Sequence, residues 1–261
     1  MATGKPRWSL SISKKPLSPS GIPYSGKIRT FAKPYAMSIE DIDDLKKKYA
    51  MAARLAQKAG FAGIEIHAAH GFLLNQFLSK KTNLRTDKYG GNLENRMRLL
   101  LDVISVARKE VGKEYPIAVK INTTDSAEEN CEERIQLCKN LDNAGVDIIE
   151  LSGGNYDYTL MLGQEKCSNY FIDFAKKVKL SGVKCPILLT GGIRDAKTME
   201  KIIGDGIADI IGLGRPMIID PCLPSKILDS SVNKIASQEA DKYPVMKQLE
   251  WYWNKIRDLA K

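Results

Sequence analysis

The chain has 261 residues, 43% of them hydrophobic, which suffices for one sizeable core and does not require a second domain. Its net charge of +9 raises nucleic-acid binding, but residues 1–38 hold seven Lys or Arg and no acid, leaving 33 basic against 31 acidic residues beyond. The arm's aromatics, Trp8, Tyr24, Phe31 and Tyr35, have no regular interleaving, so nucleic acid is set aside as a partner.

No apolar run is long enough for a membrane span or a secretory leader. Five cysteines without a CxxC pair fit a reduced, cytoplasmic protein better than a disulfide framework. Residues 1–37 form a Pro-, Ser- and Lys-rich arm read as loop; its acid-poor composition also suits a transit peptide, though without the amphipathic spacing of one. From residue 38 to 261 the chain reads as one α/β unit. Ser38 and Asp41 make a capping box for a helix whose apolar residues recur from Ile42 to Ala56 and which stops before Gly60.

Residues 62–67 then read as a strand, 93–111 as a long helix, 116–121 as a strand, and a helix opens at the Ser126 capping box and runs to about Asn143. Strands at 146–151, 187–190 and 208–212 follow, and the segment after Ser231 reads as terminal helix packing. Apolar runs separated by helices imply parallel strands under a helical layer. A closed (β/α)8 barrel needs eight strands in roughly 250 residues, and this chain shows five. Only residues 8–13 offer a weak strand pattern before Ser38. The expected fold is therefore a partial TIM-type barrel, with an exposed edge that self-association would cover; an incomplete gene product is the other reading.

Two glycine turns follow successive strands: Thr190-Gly191-Gly192 and Gly212-Leu213-Gly214-Arg215-Pro216. Glycine lets backbone N–H groups approach phosphate oxygens, a helix N-terminus favours an anion, and Arg215 offers a bidentate contact. Gly191, Gly192, Gly214 and Arg215 are the candidate phosphate cradle; plain structural turns are the bland alternative.

Both histidines of the chain, His67 and His70, stand at the end of one strand, followed by the dense block Asn83-Leu84-Arg85-Thr86-Asp87-Lys88-Tyr89-Gly90-Gly91 and Asn95-Arg96. His67 also reads as an ordinary core histidine. Glu65 shares its strand face, but no fourth ligand accompanies them, so no metal site is assigned.

These segments, with the Leu151-Ser152-Gly153-Gly154 run and both glycine turns, resemble the old yellow enzyme family of FMN-dependent NADH:flavin oxidoreductases over residues 38 to about 230. The resemblance implies a barrel whose strands four through eight are present, FMN as cofactor, and NADH or NADPH as reductant. It makes His67 and His70 the donors to the carbonyl of a small-molecule acceptor such as an enone or quinone, and Lys120 the cation beside the flavin N1 and C2 carbonyl. A Lys reaching from the strand end to solvent is the alternative at that position. The Asn83–Arg96 block is assigned mainly to loop ordering. Phe72 departs from the family, many of whose members place a proton-donating Tyr there; Tyr35, Tyr156, Tyr158 or water would have to replace it. A catalytically impaired remnant acting as a ligand-binding or structural protein is the competing function.

Overall fold

The computed structural model describes residues 16–23, 32–123, 131–153, 166–236, 239–243 and 245–259. Two short strands, β1 (Leu17–Ser18) and β2 (Tyr35–Ala36), pair in parallel ahead of α1 (Ile39–Lys58). The capping box at α1 is complete: Asp41 N donates to Ser38 Oγ at 3.1 Å and Ser38 N donates to Asp41 Oδ2 at 2.9 Å. The strand pattern at residues 8–13 and the second capping box at Ser126 lie outside the described residues.

The centre is a five-stranded parallel sheet in chain order: β3 (Ile64–Ala68), β4 (Ile117–Asn122), β5 (Ile148–Ser152), β6 (Ile187–Thr190) and β7 (Ile210–Gly212). After β3 come α2 (Leu73–Leu78) and α3 (Leu93–Val111), and α4 (Cys131–Asn143), α5 (Lys166–Leu180) and α6 (Ala196–Gly204) connect the later strands. α7 (Arg215–Ile219), α8 (Leu223–Leu228) and α9 (Val245–Leu259) follow β7. This is a partial (β/α)8-type barrel, with strand edges displaced by no more than two residues from those the sequence predicts. Among the described residues β3 pairs only with β4, and β7 only with β6.

Alternation divides the sheet. Ile66, Val119, Ile121, Ile149, Leu151, Ile187 and Leu189 are buried on one face, each contributing about 1.5–3 kcal/mol through burial. The opposite face carries Glu65 and His67, Lys120 and Asn122, Glu150 and Ser152, then Thr190, in register across the strands. Ile210 on that face is 38% exposed. The sequence shows the division directly: IEIH, VKIN and IELS each place polar residues at a period of two inside an apolar run, at the C-terminal ends of their strands.

At the opposite end of the sheet, two aspartates hold strand starts. Asp147, just before β5, accepts from Ile117 N at 2.7 Å, and Asp209, just before β7, accepts from Ile187 N at 2.7 Å. Arg108 and Lys179 pair with them in turn.

The Asn83–Arg96 block orders the loop between α2 and α3. Asn83 Nδ2 donates to the carbonyls of Phe77 and Tyr89 at 2.7 and 2.8 Å. Arg85 pairs with Asp87 at 2.6 Å and donates to Pro19 O at 2.8 Å, and Leu84 N donates to Ser20 Oγ at 2.8 Å, so the described part of the arm is bound to this loop. Arg96, 2% exposed, reaches Leu78 O at 2.9 Å and Glu133 at 2.7 Å.

Candidate active site

β3 ends at Ala68, and the chain turns through His70 and Gly71, both with positive φ (61° and 75°), before Phe72 caps α2. His is among the few residues that tolerate this region, and hydrogen bonds fix it. His70 N donates to Asn122 Oδ1 at 3.0 Å and Gly71 N donates to Asn75 Oδ1 at 2.8 Å. His70 Nε2 is 2.9 Å from Ser152 Oγ. The turn thus draws together the ends of β3, β4 and β5, and places the His70 ring 5.0 Å from that of His67. Phe72 packs on His67 from another side, with ring centroids 5.1 Å apart.

His67 is the cross-strand partner of Lys120, and Lys120 of Glu150. Burial, reinforced by the nearby Lys120 charge, holds the His67 imidazole down to about 4, so it is neutral at ordinary pH. Lys120 Nζ lies 2.6 Å from Glu150 Oε1 and 3.9 Å from Glu65 Oε1. Burial pushes Glu65 up to about 8, with contact to Glu150 adding to the rise and Lys120 opposing it. Burial also acts to raise Glu150, but its hydrogen bonds with Glu65 and Lys120 outweigh that and hold it below the usual range.

Gly191, Gly192, Gly214 and Arg215 lie at the same end of the sheet, beyond β6 and β7, whose Thr190 and Gly212 are partners. Gly191 and Gly192 have positive φ, 153° and 66°. A Cβ on Gly191 would stand 2.5 Å from the Phe171 ring, and one on Gly153 also 2.5 Å from it, so these two glycines make room for a buried aromatic side chain of α5. Around Gly214, apart from its chain neighbours, no heavy atom of the described residues lies within 4 Å of where a Cβ would be, and Arg215 opens the five-residue helix α7 with Pro216 in its first turn. Thr123, fully buried just past β4, has a hydroxyl without a hydrogen-bond partner among the described residues.

Two residues of the site, Glu150 and Asn122, escape a reading by motif alone, and Ser152 stands in the matched Leu151–Gly154 run without a role assigned to it. Their signal is the polar alternation at the strand ends. Tyr35, one candidate to replace the missing tyrosine, is 54% exposed on β2; Tyr156 and Tyr158 lie outside the described residues.

The sequence pattern of the NADH:flavin oxidoreductase / NADH oxidase family matches residues 10–233. The chain belongs to this family. The match begins well before residue 38, where the sequence resemblance starts, and so takes in the arm segment bound to the Asn83–Arg96 loop. An NADH-dependent flavin oxidoreductase, iliE, of Hypocrea jecorina is 38% identical over 88% of this chain and 60% of its own length. An NADH oxidase of Thermoanaerobacter brockii is 36% identical over 85% of this chain and 34% of its own. The chain thus spans 60% or less of these curated relatives. Among solved structures, a 2-naphthoyl-CoA reductase complex superposes with a TM-score of 0.77 at 32% identity, covering 83% of this chain and 33% of that one. An old yellow enzyme homologue from Zymomonas mobilis superposes with a TM-score of 0.69 at 26% identity, covering 91% of this chain and 68% of that one.

Proposed function

We propose that this member of the NADH:flavin oxidoreductase family is an FMN-dependent NAD(P)H oxidoreductase of old yellow enzyme type, acting on an electron-poor small molecule such as an enone or quinone. The observation that carries the reading is the convergence of His67, His70 and Lys120 at the same end of the sheet as the two glycine turns. Lys120 is level with Leu188 on β6, two strand spacings away, and the Gly191 turn lies three residues further along that strand toward the same end of the sheet.

The residues present fit FMN. Gly192, Gly214 and Arg215 would hold the phosphate, and Lys120 the N1 and C2 carbonyl edge of the ring; the unpartnered Thr123 hydroxyl is a further polar group at this end of the sheet. Bound FMN supplies the relay of a hydride from NADH or NADPH to the acceptor. Neutral His67, together with His70, donates a hydrogen bond to the acceptor's carbonyl oxygen, where negative charge develops. Ser152 holds the His70 ring, and Phe72 limits water beside His67.

The free cysteines Cys131, Cys138, Cys185 and Cys222 support a cytoplasmic setting, and no helix among the described residues is long and apolar enough to cross a membrane. Self-association along the β3 edge belongs to the same reading: Phe61, just before β3, is 65% exposed.

The test is the visible spectrum of the purified chain after FMN is added and free cofactor removed, then anaerobic NADH or NADPH. Retained flavin that bleaches supports the oxidoreductase. A folded sample that keeps no flavin leaves the impaired remnant, which Lys120's close pairing with Glu150 favours.

A further inference from the structure

The sheet face that bears His67 sets two carboxylates against one cation. Glu150 is in register with Lys120 on the neighbouring strand and touches it at 2.6 Å; Glu65, diagonally placed on β3, reaches the same ammonium at 3.9 Å. The Glu150 side chain is 9% exposed and that of Lys120 20%. The other titratable group facing them among the described residues is His67, with His70 at the rim; β6 and β7 contribute Leu188, Thr190, Ile210 and Gly212, none of which ionises. One lysine thus balances one carboxylate, and a second bare carboxylate beside the same ammonium would be left uncompensated.

We propose that Glu65 and Glu150 share a single proton across Lys120, and that Glu150 is a positioning residue that fixes the ammonium and sets how much positive charge it offers a flavin. The second half rests on the FMN reading above; the first does not. The proton resides on Glu65, because Glu150 is closer to the ammonium and its ionised form gains more from it. Lys120 is accordingly a cation held against one full negative charge. It contacts the ligand while remaining tethered, and the electron-rich reduced flavin receives less stabilisation than from a free lysine.

The full-length chain and its Glu65→Gln and Glu150→Gln variants, each checked for fold by circular dichroism, test this without flavin. Infrared spectra at neutral pH are expected to show the carbonyl stretch of a protonated carboxylic acid in the unsubstituted chain and to lose it in both variants: in Glu65→Gln because the proton's owner is gone, in Glu150→Gln because Glu65 alone ionises against Lys120. Absence of the band in the unsubstituted chain, or its persistence in both variants, overturns the shared proton. Acylation of Lys120, followed by mass spectrometry, is expected to rise several-fold in Glu150→Gln and to change little in Glu65→Gln. Equal rates in all three overturn the positioning role. With FMN bound, Glu150→Gln is expected to shift the flavin midpoint potential modestly upward, because the remaining counter-charge, Glu65, stands at 3.9 Å from the ammonium instead of 2.6 Å, while Glu65→Gln leaves it nearly in place at neutral pH; an unmoved potential in Glu150→Gln also overturns that role. Should the unsubstituted chain retain no FMN, the oxidoreductase reading falls while the infrared and acylation results still decide this one.

Discussion

Ser152 Oγ sits 2.9 Å from His70 Nε2, joining the end of β5 to a turn that follows β3, two strands away. The contact fixes which ring nitrogen of His70 is engaged with β5. Ser152→Ala is expected to cost about 1 kcal/mol in stability, and to change the His70 tautomer balance in nitrogen-detected NMR. An unchanged His70 spectrum would show that the ring is held by other contacts.

Gly191 is expected to reject a side chain for two separable reasons. Its φ of 153° suits glycine, and an added methyl would meet the Phe171 ring at 2.5 Å. Gly191→Ala should lower stability by about 1–3 kcal/mol, and Phe171→Ala by about 3–5 kcal/mol. In the double variant the clash disappears, so the losses measured by chemical denaturation should sum to less than the two singles. Strict additivity would remove Phe171 as the reason for the glycine.

Two groups on the polar sheet face make stability depend on pH in opposite senses. His67 has a folded value of about 4 against an ordinary 6.5, so the unfolded chain binds more protons in that interval, and stability rises with pH from 4 to 6.5. Glu65, at about 8 against 4.5, binds its proton more tightly when folded, and its contribution is lost as pH climbs toward 8. Denaturation midpoints across pH should lose the rising limb in His67→Asn and the falling limb in Glu65→Gln. The falling limb is the shallower, because the Glu65 side chain is 38% exposed and solvent screens it.

Arg96 is expected to be the most costly single replacement in the loop that carries the Asn-Arg-Asp block. It is 2% exposed and satisfies two carbonyls and Glu133 at once. Arg96→Ala should destabilise by about 3–5 kcal/mol. Lysine cannot supply the planar fork of donors, so Arg96→Lys should recover only part of that loss in a thermal melt. Full recovery would mean that charge alone matters there.

Much of the scaffold is written in local pattern. The Ser38–Asp41 capping box, the 93–111 helix and the five apolar strand cores follow from short-range spacing, and the structure places them where that spacing points. The pair Leu17↔Tyr35 and Ser18↔Ala36 does not, because two-residue strands carry no period and their partners are set by Arg85 and Ser20 contacts far along the chain. At the candidate site, His67, His70 and Lys120 stand out by residue type. The Glu150 contact to Lys120 depends on strand register, and the role of Gly153 and Gly191 in housing Phe171 depends on packing across α5; neither is a property of adjacent residues.

The aspartates before β5 and β7 have a consequence for how this scaffold changes over time. Because Asp147 and Asp209 clamp the starts of β4 and β6 from the far side of the sheet, alignment of those strands with β5 and β7 has a support separate from the loops at the histidine end. Those loops are therefore at liberty to be lengthened, shortened or exchanged, and new specificities can be tried at one end of the sheet while the other keeps the frame in place.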